Sequence, residues 1–382
     1  MLSSAAAADR ERSSVEQQAR YVSSLYGGFW NFDIKDFCYL VNTYFPPSAF
    51  TESFSLRLEE LVKSYPSTNW YISSLVSKTL ELTHEEVVIG NGASELISAI
   101  TSRYVVNLAV PVPTFDEYIN RAVSQGKKVS LYQMREDFTL DVDGFLQHVR
   151  DSNANSALII NPNNPTGTLI SKDSIWQILE SLHYLDMVIV DESFIDFARS
   201  DPDPSAMTGI PDFPNLVILK SLSKAYGIPG LRLGYAVSSN REMIATLREA
   251  LPIWSINSLA QFFLEEIGNY QQEFVDSCAD VRMATQILYN ELRSVPYLYP
   301  YPSQGNFVLC KMLSSFTATE LTEILFKEFK MLINDCSRKK GLDHRFVRIA
   351  SRTKEENAKL VQALRSLAEP TRAQDLNQGA TT

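Results

Sequence analysis

Cysteine, histidine, net positive charge and long apolar runs are all scarce in this 382-residue chain, and each scarcity excludes something. The four cysteines, Cys38, Cys278, Cys310 and Cys336, lie far apart and form no CxxC pair. They are expected to be buried free thiols in a reducing compartment. The four histidines (His84, His148, His183, His344) show no metal-ligand spacing, so no chemistry is assigned to them. No apolar run approaches the roughly 20 residues of a membrane span. With Lys+Arg 35 against Asp+Glu 45, the net charge of -10 argues against a nucleic-acid surface. It says little about small anionic ligands, which need only a local basic pocket. Residues 1–20 are Ala/Ser-rich but carry Asp9, Arg10, Glu11 and Arg12 where a signal peptide needs an apolar centre. A cytoplasmic chain with a frayed or helical N-terminal arm is expected.

What is present is an ordinary soluble mix, 45% apolar and 21% charged, with length for one large or two moderate domains. The arm, residues 1–47, is rich in aromatics (Tyr26, Phe29, Trp30, Phe37, Tyr39, Phe45) and reads as an extended segment over something larger. Apolar spacing predicts helices over 50–63 and 71–82. Strand and helix then alternate: strands over 87–89, 107–110, 128–132, 157–160, 187–190, 216–219 and 233–237, with helices between most of them. Continuous apolar strands in this order predict an α/β fold, a mostly parallel sheet with helices on both faces, over residues 48–245. From 246 to 370 the texture changes to a smaller α+β domain. It has helices over 255–292, 318–329 and 354–367, short strands between them, and Thr353 with Glu356 as a capping box. The tail 371–382 is polar and expected to be disordered.

The organising stretch is Ser221-Leu-Ser-Lys224-Ala-Tyr-Gly-Ile-Pro-Gly-Leu-Arg232. It places a lysine where a buried strand ends, with hydroxyls before it and an arginine after it. Other strand ends carry Asn164 and Asp191, with Gly92, Ala93, Ser94 and Phe115 at neighbouring turns. In a doubly wound sheet such ends converge on one crevice. A lysine forms an imine, a carboxylate holds a protonated ring nitrogen, and an amide holds a phenolic oxygen. A helix N-terminus with Ser221, Ser223 and Arg232 holds a phosphate. An aromatic stacks on a flat ring. Those are the requirements of pyridoxal 5'-phosphate.

The stretches Asn161-Pro-Asn-Asn-Pro-Thr-Gly167, Asp191-Glu-Ser-Phe-Ile-Asp-Phe197, residues 221–235 and Phe346-Val-Arg-Ile-Ala-Ser-Arg-Thr353 carry a resemblance. The chain resembles fold-type I, class I and II aminotransferases, in the branch of histidinol-phosphate aminotransferase and threonine-phosphate decarboxylase. It looks closer still to the aminotransferase half of proteins fused to a cytidylyltransferase, without that second domain. The resemblance implies that Lys224 forms an aldimine with the cofactor and then shuttles the substrate Cα proton. It implies that Asp191 pairs with the ring nitrogen and Asn164 bonds the 3' oxygen. Ser221, Ser223, Arg232 and the amides of Ala93 and Ser94, after Gly92, hold the phosphate, and Phe115 stacks on the ring. Tyr65 matches a tyrosine that reaches the neighbouring subunit's phosphate, which implies a homodimer with shared sites. Arg348 grips the substrate carboxylate, and Asn42, with Tyr26 in the aromatic arm, lines the substrate pocket. Arg352 lies on the strand face of Arg348, where substrate contact and plain solvation are both open.

Two positions depart from the pattern. Phe194 stands where many members have a tyrosine that gives the 3' oxygen a second donor. Its loss should raise the aldimine pKa, and the decarboxylase branch tolerates it. Asn334 stands where members acting on phosphorylated substrates have an arginine. A substrate without a distal phosphate is therefore expected, with a neutral or cationic distal group near Asp335, Asp33 and Asp36. Transamination of an amino acid or amine is the leading expectation. A decarboxylase or an eliminating or cyclising lyase of secondary metabolism is the alternative on the same fold. A catalytically silent binding domain is opposed by intact Lys224, Asp191 and Asn164.

Overall fold

The computed structural model describes residues 27–198, 203–314 and 316–368. The strands are β1 (Lys35–Phe37), β2 (Val87–Asn91), β3 (Asn107–Val112), β4 (Lys128–Gln133), β5 (Ser156–Ile160) and β6 (Met187–Asp191), then β7 (Leu216–Ser221), β8 (Leu233–Val237), β9 (Leu298–Pro300), β10 (Phe307–Met312), β11 (Met331–Asp335) and β12 (Phe346–Ala350). Seven of them form one sheet in the order β2-β8-β7-β6-β5-β3-β4. β8 runs antiparallel to both of its neighbours, and the remaining pairings are parallel. β3, β5 and β6 are buried along their whole length. This is why they read as unbroken apolar runs rather than alternating ones. Alternate residues feed two separate cores. Ile89, Ile159, Val190 and Ile218 face one way, and Val88, Leu158, Ile189 and Val217 face the other.

Register decides what meets at the strand ends. Ile160 pairs with Asp191 and Asp191 with Leu219, so β5 and β6 end at one level and β7 runs two residues further, to Ser221. The loop through Asn164, the carboxylate of Asp191 and the turn bearing Lys224 therefore rise side by side.

The second sheet has the order β1-β11-β12-β10-β9. Its β1 comes from the arm, parallel to β11, with Asp36 opposite Leu332 and Phe37 opposite Ile333. A three-residue strand is too short for periodicity to reveal, so the arm reads from sequence as irregular. Phe37 sinks fully into the core of the small sheet, whereas Leu40 and Phe45 join the core of the large one. The arm thus ties the two sheets together.

The single helix expected over 255–292 is two helices, Ser258–Glu266 and Gln271–Leu292, joined by a 3-10 turn. Gly268 and Asn269 lie in that turn, and both are poor helix formers. The longer helix serves both cores, through Phe274, Cys278 and Val281 at one end and Leu288 and Leu292 at the other. Thr353 caps its helix by accepting from the Glu356 amide at 3.2 Å. The reciprocal half of the expected box is absent, because the Glu356 carboxylate pairs with Arg352 and Lys35 instead. All four cysteines are free, three of them buried and Cys38 half-buried. No helix among the described residues is long and apolar enough to cross a membrane. Tyr26 and the tail 371–382 lie outside the described residues.

Phe263 is fully buried and meets Phe50 and Tyr226 edge-on, where the helix Ser48–Lys63 and the Lys224 segment converge. Phe263→Ala is expected to lower unfolding free energy by about 3–5 kcal/mol, read from denaturant midpoints. A loss under about 1 kcal/mol would show that this junction is not part of the cooperative core.

Candidate active site

Lys224 sits in the short helix Leu222–Ala225 that opens as β7 ends. Loss of water around the half-buried amine, then the nearby charges of Arg348 and Arg232, push it down to about 8, and Asp191 opposes the shift. Asp191 is the last residue of β6 and is buried. Its Oδ1 accepts from the Ser193 amide at 2.9 Å and its Oδ2 accepts from Tyr118 Oη at 2.8 Å. Burial raises this carboxyl, and the bonds from Ser193 and Tyr118 pull it back.

An anion cradle lies beside them. Gly92, at φ 72, is the N-cap of the helix Ala93–Tyr104. The free N–H groups of its first turn attract anions. Arg232 is held in the left-handed region by its own turn, at φ 57. Its carbonyl accepts from Gly92 N at 2.9 Å, and its Nη2 reaches Ser94 Oγ at 3.4 Å. A Cβ at Gly92 would stand 2.3 Å from that Nη2, so only glycine leaves the guanidinium its place. Ser221 pairs with Gly234, and a Cβ at Gly234 would press on Ala93 N. β7, β8 and the helix start are therefore packed into one corner. Ser223 Oγ is buried there with no partner.

Arg348 crosses from the small sheet to the large one. Its Nη1 donates to Asn164 Oδ1 at 2.6 Å and its Nη2 to the Cys38 carbonyl at 2.6 Å. Its buried Nε has no partner. Because Asn164 Oδ1 accepts from Arg348, its Nδ2 is the end left to donate elsewhere. The loop of Asn164 is braced by Asn163, which donates to the Pro113 carbonyl and accepts from Thr114 Oγ1. This fixes Phe115, the residue after Thr114, which is 38% exposed. Phe194 is buried edge-on against Phe307 at 5.3 Å, and the Arg348 guanidinium lies 5.7 Å over that same ring.

The fold thus gathers Lys224, Asp191, Asn164, Arg348, Phe194, Ser221, Ser223, Arg232 and the turn Gly92–Ala93–Ser94. Other expected residues are placed differently. Asn42 is buried, and its amide is spent on the chain: Nδ2 donates to the Ala225 carbonyl and Ser277 Oγ, and Oδ1 accepts from Tyr44 N. Its contacts brace the lysine turn rather than line a pocket. Asn334 lies opposite Arg348 in the β11–β12 ladder, its amide between Cys38 Sγ (3.2 Å) and Cys336 Sγ (3.3 Å). Arg352 is committed to Glu356 and to the Asp36 carbonyl. Tyr65 is 79% exposed and its ring lies tilted against Trp254, 4.5 Å between centroids, with no bond to the cradle described above. Tyr118 went unnoticed in the sequence, because a tyrosine at helical spacing with Ile119 and Ala122 reads as core. Its one signal is its place a single turn after Phe115.

These groups fit pyridoxal 5'-phosphate. The orphaned Ser223 hydroxyl and the Gly92–Arg232 cradle suit a phosphate, buried Asp191 suits a ring nitrogen, and the open Phe115 face suits a flat ring.

Residues 57–364 match the family model described as aminotransferase class I and II. The chain is 35% identical over 378 residues, 98% of its length, to the CMP-5'-(3-aminopropyl)phosphonate synthase of Streptomyces rubellomurinus, and spans 59% of that protein. It is 32% identical to an L-serine phosphate decarboxylase of Campylobacter jejuni, covering 81% of this chain and 80% of the relative. The crystal structure of the histidinol-phosphate aminotransferase from Clostridium acetobutylicum superposes with a TM-score of 0.81 at 27% identity, over 87% of this chain and 99% of that one.

Two outcomes follow. Capture of the aldehyde cofactor by apo protein, followed by absorbance, should quicken about tenfold per pH unit and level off above about pH 8, as Lys224 loses its proton. A rate flat from pH 6 to 9 would contradict the lowered amine. Gly92→Val forces a side chain into a positive φ and onto Arg232. With backbone strain of about 1–3 kcal/mol, cofactor affinity should fall roughly tenfold or more, measured by equilibrium dialysis.

Proposed function

Because the chain belongs to the class I and II aminotransferases, we propose that it transfers the amino group of an amino acid or amine through pyridoxal 5'-phosphate bound at Lys224. The observation that carries this reading is the lowered amine of Lys224 between buried Asp191 and the Gly92–Arg232 cradle. When bound, the cofactor's protonated ring withdraws electrons from the carbon that bears the substrate amine. Lys224 Nζ, neutral at mildly alkaline pH once the substrate amine has taken its place on the cofactor, would take the proton from the substrate Cα and deliver it to the cofactor carbon that carries the substrate nitrogen. Asp191 holds the ring nitrogen, Asn164 Nδ2 holds the 3' oxygen, and Phe115 covers the ring. Ser221, Ser223, Arg232 and the amides of Ala93 and Ser94 hold the phosphate. Arg348 exchanges the Cys38 carbonyl for the substrate carboxylate while it keeps Asn164 in place. The two ends of the site are thereby linked through one guanidinium.

The substrate we assign has a neutral distal group. Asn334 brings no charge, Lys339 is committed to Asp116 and Arg352 to Glu356, and Arg348, opposite Asn334 in the ladder, is taken by the substrate carboxylate. The acids are engaged by the chain's own donors too. Asp335 accepts from Thr319 Oγ1 and Ser337 N, and Asp36 Oδ1 accepts from the amides of Cys38 and Tyr39. This differs from the relatives, whose names carry a phosphate or a phosphonate. Decarboxylation is the second reading. Phe194 in place of a tyrosine and the likeness to an L-serine phosphate decarboxylase favour it.

A homodimer in the cytoplasm completes the proposal. Leu56, Leu58, Val62, Tyr65, Ile253 and Trp254 are exposed together along and beside the helix Ser48–Lys63. A second copy covering them would bring Tyr65 to its partner's cradle.

Incubating holoenzyme with an amino-acid panel is the test. A 2-oxo acid together with the aminated cofactor supports transamination. Carbon dioxide with the cofactor unchanged supports the second reading. Histidinol phosphate and threonine phosphate should turn over at least tenfold more slowly than the best uncharged substrate, about 1.4 kcal/mol in transition-state binding. Brisk turnover of either would remove the neutral-group assignment.

A further inference from the structure

Resting on the cofactor reading above, we propose that Tyr118 is a positioning residue that sets the protonation of the cofactor's ring nitrogen by holding the Asp191 carboxylate ionised and in one orientation. A carboxylate has two oxygens and roughly four acceptor sites. One oxygen takes the Ser193 amide, and Ser193 is itself anchored because its Oγ accepts from Ser221 N at 2.9 Å. The other takes the Tyr118 hydroxyl at 2.8 Å. Each oxygen keeps a lone pair, and the carboxylate cannot rotate without breaking a bond. Both partners are donors, and a donor to a carboxylate favours its charged form.

Tyr118 can act only as that donor. It is 1% exposed, and both burial and the charge of Asp191 hold its phenol protonated far above the ordinary range. Asp191 is equally secluded, so the hydroxyl replaces water that a surface carboxylate would have. Tyr118 lies in the first turn of the helix Asp116–Ser124, whose N-cap is Phe115. One rigid element therefore places the face that covers the ring and the group that secures its nitrogen partner.

A purely structural Tyr118 would matter through its ring, which packs in the core beneath the sheet. Tyr118→Phe keeps that ring and removes only the hydroxyl. The holoenzyme is loaded with cofactor carrying 15N at the ring nitrogen, and the 15N shift is read with the pH titration of the bound-cofactor absorbance. In the parent protein the nitrogen should be protonated at neutral pH. In Tyr118→Phe the protonated-to-neutral ratio should fall about tenfold, the size expected for one hydrogen bond to a charged acceptor. Turnover should fall with it while KM for the amino donor stays within about twofold. Ile119→Ala, which disturbs the same core without touching Asp191, should leave the 15N shift unchanged. An unchanged shift in Tyr118→Phe, or an equal change in Ile119→Ala, overturns the proposal. Failure of the parent protein to retain the cofactor at all would instead overturn the reading on which it rests.

Discussion

Keeping a carboxylate charged inside the protein is the constraint on which the rest of the site depends. Removing Asp191 from water costs several kcal/mol unless donors replace that water. The chain supplies two, one local and one distant in sequence. Ser193 comes from the turn after β6 and Tyr118 from the helix that follows β3. Tyr118 reaches Asp191 because β3, β5 and β6 run in one register, so strand register, set by the two cores on either face, comes first.

A second junction makes the site responsive to substrate. Arg348 belongs to the small sheet, yet its guanidinium joins Asn164 of the large one to Cys38 of the arm. The arm is held to the small sheet by β1 and to the large one by Leu40 and Phe45. Three parts of the chain therefore meet at one cation, and a carboxylate arriving there competes with a backbone carbonyl. The bare Nε of Arg348 and the unpaired Ser223 hydroxyl are buried polar groups at this junction that a bound ligand could satisfy.

Much of this was legible along the chain because strand ends in an α/β sheet are where ligands bind, whatever the helices between them do. Lys224, Asp191, Asn164, Gly92 and Arg232 could be singled out by type and position alone. Tyr118 could not, because a buried tyrosine at helical spacing looks the same whether it fills space or donates a bond. Asn42 was expected in the substrate pocket through the resemblance, and the direction of its amide, toward Ala225 and Ser277, was not legible. The break at Gly268 and the three-residue β1 escaped periodicity, which needs more residues than either offers. At Thr353 the cap was legible, while Glu356 was drawn away by Arg352 and Lys35, a choice made by charges elsewhere.

By itself, the sequence determined the α/β order, the family and the cofactor. The order follows from apolar runs, the cofactor from a glycine turn and the polar residues at the strand ends, and the family from the resemblance that the stretches 161–167, 191–197, 221–235 and 346–353 carry. The tertiary structure alone decided which groups touch. It turned Asn164 so that its amide nitrogen is free, gave Asp191 its two donors, closed Asn334 between two thiols, and spent Asp335 and Asp36 on the chain's own donors. The physical reason is that hydrogen bonds and desolvation act over a few ångströms between elements far apart in sequence, and only packing brings those elements to that distance.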